Sequence, residues 1–73
     1  MSVAKNIEIT STSTESFEDA VNKGIAKASE TIKNVKGAWI KEQKVKIDNG
    51  KVTEFTVMMI LTFVLGASEN VDK

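Results

Sequence analysis

Residues 51–65, KVTEFTVMMILTFVL, decide the fold. The stretch contains neither Gly nor Pro, and β-branched and aromatic residues recur at every other position, as in a strand and not a helix. Successive side chains of a strand point to opposite faces, so Phe55, Val57, Met59, Leu61, Phe63 and Leu65 share one face. Thr56, Met58, Ile60, Thr62 and Val64 occupy the other. A strand that is apolar on both sides is covered on both sides, which predicts a central position in a small sheet. The run from Phe55 to Leu65 is too short for a membrane-crossing helix, which needs about 20 apolar residues, and two threonines interrupt it.

The segments before it supply its neighbours. In Ala4 to Thr10, Ile7 and Ile9 alternate with Asn6, Glu8 and Thr10, which predicts a short, half-buried first strand. The hydroxyl-rich STSTES that follows favours a turn and a helix start, with Ser13 as the expected N-cap. Phe17, Ala20, Val21, Gly24, Ile25, Ala28, Ile32 and Val35 then recur at helical spacing. They predict a helix from about Thr14 to Lys33, ~30 Å long at about 1.5 Å per residue. Gly24, on the apolar stripe, is expected where helix and sheet pack closely.

Gly37 to Ile47, GAWIKEQKVKI, reads as a second strand, with Gly37, Trp39, Lys41 and Gln43 on one face by simple alternation. Asp48-Asn49-Gly50 separates it from the central strand. Asn-Gly between two strand patterns is a strong hairpin signal, because both central residues of a type I′ turn need positive φ. The expected fold is therefore α+β, β-α-β-β, with a three-stranded antiparallel sheet in the order 1-3-2 packed on one long helix. All 73 residues are expected to form one domain, with an ordered core over about 4–66 and a polar tail over 67–73. The sheet face away from the helix, carrying Met58, Ile60, Val64 and Trp39, is expected to be covered by other copies of the chain.

Composition narrows the functions. There is no Cys and no His, which excludes disulfides, thiolate metal sites, Cys nucleophiles and His-based acid–base chemistry. Ten basic and ten acidic residues cancel, leaving no electrostatic footprint for nucleic acid or an anionic membrane. No apolar segment follows a basic start, so the expected location is the cytoplasm. A chain this short gains stability most readily by oligomerising, and a homo-oligomer is expected. No Gly-rich phosphate loop or activated nucleophile suggests an enzyme, and no metal site is expected. Asp48 with Asn49 could in principle hold a hard cation, although the turn already explains both. The hairpin lysines Lys41, Lys44, Lys46 and Lys51 suit protection of a strand edge or steering of a phosphate-bearing ligand.

Taken in order, several segments resemble the dodecins, small β-α-β-β proteins that assemble into hollow spherical dodecamers. The similarity runs from Lys5 to Leu65. It rests on Thr12-Ser13, Ser16-Phe17, the helix Ala20 to Ala28, Thr31 to Val35, the Glu42-Gln43 pair, the Gly50 hairpin and Thr62-Phe63-Val64-Leu65, and Ser11 departs from the usual Gly. The resemblance implies a flavin-binding shell without catalysis, taking riboflavin or FMN. In typical members a Trp near the start of the second strand stacks on the isoalloxazine ring, and a Gln on the third strand bonds to its edge. Here those positions carry Gly37 and Thr56. Trp39 lies one pleat beyond Gly37, about 6 to 7 Å along the strand, and is either a displaced stacking platform or an interface anchor. Gln43 is a further candidate ligand contact. The alternative that these replacements leave open is a shell that has lost flavin binding and acts as an assembly, or binds an ion or another small molecule.

Overall fold

The computed structural model describes residues 3–65. The chain runs β1 (Ala4–Ser13), α1 (Phe17–Ser29), β2 (Val35–Asp48) and β3 (Lys51–Val64). The sheet order is β1-β3-β2, with β3 antiparallel to both neighbours, so the strand read as central is central. The β2–β3 turn has positive φ at Asn49 (54°) and Gly50 (80°), as an Asn-Gly hairpin requires. The predicted polar tail lies outside the described residues.

Element ends differ from the sequence reading in ways that local chemistry explains. The first strand runs to Ser13, three residues past Thr10, and the second begins at Val35. The helix is shorter at both ends than the predicted 14–33. Ser16, in extended geometry, is the N-cap: its side chain accepts the Asp19 N–H at 2.9 Å. The Ser13 hydroxyl is committed elsewhere. It accepts the Glu15 N–H at 2.8 Å and donates to Asp19 Oδ2 at 2.6 Å, closing the turn between strand and helix. At the other end, Glu30 and Thr31 N–H groups bond back to Lys27 and Ala28 carbonyls, and Asn34 then takes φ 66°, a left-handed conformation that turns the chain into β2. Thirteen helical residues span about 20 Å, whereas β2 and β3 are fourteen residues each, about 45 Å. The helix therefore covers under half of the hairpin.

It packs over β1 and β3. Ala20, Val57, Met59 and Leu61 are fully buried, ringed by Ile7, Ile9, Phe17, Val21, Ile25, Ala28 and Val35. Phe17 meets Phe55 edge-on, with ring centroids 5.2 Å apart, where the helix begins. The Ser11 hydroxyl donates to the Ala20 carbonyl at 2.7 Å and pins α1 to β1. Gly24 is buried beside this bond, and a side chain there would meet Met59 and Ser11. Each fully buried Val, Leu or Met side chain contributes about 2 kcal/mol, so one chain holds a modest core. Much apolar surface stays outside it: Trp39, Ile40, Val45, Ile47 and Val52 are exposed, and β2 is exposed from Lys36 to Asp48.

Candidate functional site on the uncovered sheet face

Cross-strand partners share a face, so the register assigns the side of the sheet opposite α1 row by row. The rows are Asn6–Thr62–Gly37, Glu8–Ile60–Trp39, Thr10–Met58–Glu42 and Thr12–Thr56–Lys44. Trp39 is 52% exposed and stands beside the half-buried Ile60 and Met58, giving an apolar centre. Gly37, two residues away on the same face, leaves open space: an added Cβ would meet nothing within 4 Å.

A polar rim surrounds that centre. Thr62 donates to Asn6 Oδ1 at 2.8 Å, the Thr12 and Thr56 hydroxyls bond to each other at 3.0 Å, and Lys41 Nζ lies 3.2 Å from Glu8 Oε1. Thr56 is therefore already hydrogen-bonded within the chain. A groove of about 510 Å³ continues past it, lined in part by Thr12, Lys44, Lys46 and Glu54.

The four residues singled out from the sequence do not form one cluster. Gly37 and Trp39 stand together. The β3 partner of Trp39, Ile60, is four residues from Thr56, about 13 Å along the strand, and that of Gly37 is six away, about 20 Å. Gln43 is on the opposite side. Simple alternation groups it with Trp39, but the register shifts between Ile40 and Glu42: Ile40 pairs with Met59 and Glu42 with Met58, leaving Lys41 as an extra residue. Past this β-bulge, Gln43 pairs with Val57 and faces the helix side, while Glu42 joins Trp39 on the uncovered face. The bulge also brings the Lys41 ammonium across β3 to Glu8. Neither the Lys41–Glu8 pair nor the Thr12–Thr56 and Thr62–Asn6 bonds are legible from spacing alone, because each joins residues 33 or more apart in sequence.

Other chemistry is sparse. Among the described residues no group of three or more acidic side chains could hold a metal, and no buried side-chain polar atom lacks a partner. The Asp19 carboxyl is held below the usual carboxylate range, first by the Ser13 hydroxyl and then by Lys23, whose ammonium lies 3.0 Å away and is itself pushed up. That cluster fastens the start of α1, on the other side of the sheet from Trp39. No helix among the described residues is long and apolar enough to cross a membrane.

Known proteins agree with this architecture. A dodecin of Thermus thermophilus, solved as a point mutant, superposes with a TM-score of 0.86 at 29% identity, covering 90% of this chain and 98% of that one. The Streptomyces davaonensis dodecin gives 0.85 at 26% identity, over 89% of this chain and 96% of that one. A calcium dodecin of Mycobacterium tuberculosis, described as calcium-chelating with a novel calcium-binding site, gives 0.76 at 28% identity, over 92% and 96%. No curated protein sequence matches. The family model named Dodecin matches residues 3–66, so nearly the whole chain lies within it, and the protein belongs to the dodecin family.

Proposed function

We propose that the chain is the subunit of a non-enzymatic, homododecameric shell that binds a flavin, riboflavin or FMN, or a similar planar aromatic ligand where subunits meet, with Trp39 as its stacking surface. One observation carries this reading: the chain's single Trp stands half-exposed on the sheet face that the helix leaves uncovered, beside the open space at Gly37. An indole offers an aromatic ligand a large flat surface. The separation of Trp39 from Thr56 favours a site completed by a second chain over one formed by a single chain. Assembly is supported by the small core and by the exposed Ile40, Val45, Ile47 and Val52.

A second reading, a shell without a flavin site, draws on the replacements at Gly37 and Thr56 and on the calcium dodecin among the similar structures. An ion site of that kind would need ligands from more than one chain, given the lack of an acidic cluster among the described residues.

Equilibrium dialysis against riboflavin, with light scattering for mass, separates these. The stacking role predicts that Trp39→Ala keeps the assembled mass and loses the flavin. Dissociation of the variant would make Trp39 an interface anchor, and flavin retention by an intact Trp39→Ala shell would remove it from the site.

A further inference from the structure

We propose that the bulge at Lys41 builds a reader for the edge of the bound ring: Lys41 donates to a ring carbonyl and Glu42 accepts from the neighbouring imide N–H. The inference rests on the reading of Trp39 as the stacking surface and names what that site would select, a planar heteroaromatic ring with a cyclic-imide edge.

In a regular strand Lys41 and Glu42 would lie on opposite faces. The register shift between Ile40 and Glu42 cancels that alternation. Glu42 pairs with Met58, which shares the uncovered face with Ile60 and Trp39, and the Lys41 ammonium reaches Glu8, the other neighbour of Ile60 on that face. A donor and an acceptor adjacent in sequence thus stand on one face, two and three residues past the indole. Bulges recur beside binding sites because they re-aim side chains in this way.

The chemistry of the pair matches an imide edge. An ammonium has three N–H donors and no acceptor, so Lys41 can keep Glu8 at 3.2 Å and still donate to a carbonyl. An ionised carboxylate only accepts, which suits Glu42 to an N–H. Glu8 then acts as a positioning residue, holding the lysine stem across β3. Neither role calls on Thr56, whose hydroxyl bonds to that of Thr12 at 3.0 Å.

The test compares riboflavin with its N3-methyl analogue, which keeps the ring and carbonyls and lacks the imide N–H. Dissociation constants come from flavin fluorescence anisotropy, and light scattering follows mass. The proposal predicts that the wild-type protein binds riboflavin about tenfold tighter than the analogue, that Glu42→Ala abolishes this difference, and that Lys41→Met weakens both ligands about tenfold. Lys41→Arg should restore binding, and Lys27→Met, at an exposed position of α1, should change nothing. Equal wild-type binding of the two ligands, or a preference that survives in Glu42→Ala, overturns the edge reading while quenching of Trp39 would still uphold the stacking surface. A wild-type protein that binds neither ligand overturns both. Loss of assembled mass in Lys41→Met or Glu42→Ala would make that residue a subunit contact and refute its ligand role.

Discussion

Replacing Gly24 with Ala sets two effects of known sign against each other. In a helix interior Ala is favoured over Gly by about 1 kcal/mol, so propensity alone makes Gly24→Ala stabilising. The structure opposes this. A Cβ at Gly24 would sit 2.6 Å from Met59 Cε and 2.9 Å from Ser11 Cβ. The methionine end can swing aside at small cost. Ser11 Cβ cannot, because it is one bond from the backbone of β1, held there by its pairing with Val57. Ordinary carbon contacts lie at about 3.5–4.0 Å, so the helix must lift by roughly 0.6–1 Å. Lifting loosens α1 over Val57 and Met59 and stretches the 2.7 Å bond from Ser11 to the Ala20 carbonyl. Overpacking of this kind costs ~1–3 kcal/mol and a weakened hydrogen bond about 1 kcal/mol. The net expectation is a loss of about 1–3 kcal/mol, read as a urea midpoint lowered by roughly 1–2 M at fixed protomer concentration. Ala26→Gly, at an exposed position of the same helix, serves as the propensity control and should lose about 1 kcal/mol. A Gly24→Ala midpoint at or above wild type would refute the close-approach argument.

Two further predictions concern the frame of the fold. Because Ser13 and Lys23 depress the Asp19 pKa, the stability that this carboxylate contributes is complete above its unfolded value, about 3.9, and disappears as pH falls through the lower folded value; acid unfolding followed by circular dichroism should show that Asp19→Asn removes this part of the pH dependence. Gly50→Val forces a β-branched residue to φ +80° and should destabilise the hairpin by about 1–3 kcal/mol in a urea titration, whereas a neutral result would show that the turn relaxes freely.

The fold was legible because its main signals are local. Alternation in Lys51 to Leu65, apolar on both faces, marks the central strand, and Asn49-Gly50 fixes the hairpin within two residues. The helix ends were less legible because Ser13 and Ser16 carry the same hydroxyl. Only the tertiary turn decides that one closes it and the other caps the helix. The candidate site suffered more from a single extra residue. The Lys41 bulge is a property of how β2 matches β3, and no residue at that point announces it; it moved Gln43 to the helix side and brought Glu42 to the side of Trp39. The family resemblance singles out Gly37 and Thr56 together, but their separation along the sheet emerges only from the register.

Trp39 is the chain's only Trp, so its fluorescence reports on the proposed platform without interference. Titration of the purified oligomer with riboflavin, recording indole and flavin emission together, tests the central claim most directly. The account predicts saturable, parallel quenching of both, as stacking requires. Indole emission unchanged at flavin concentrations up to the solubility limit would contradict it and leave a dodecin-family protein with no flavin stacked on Trp39.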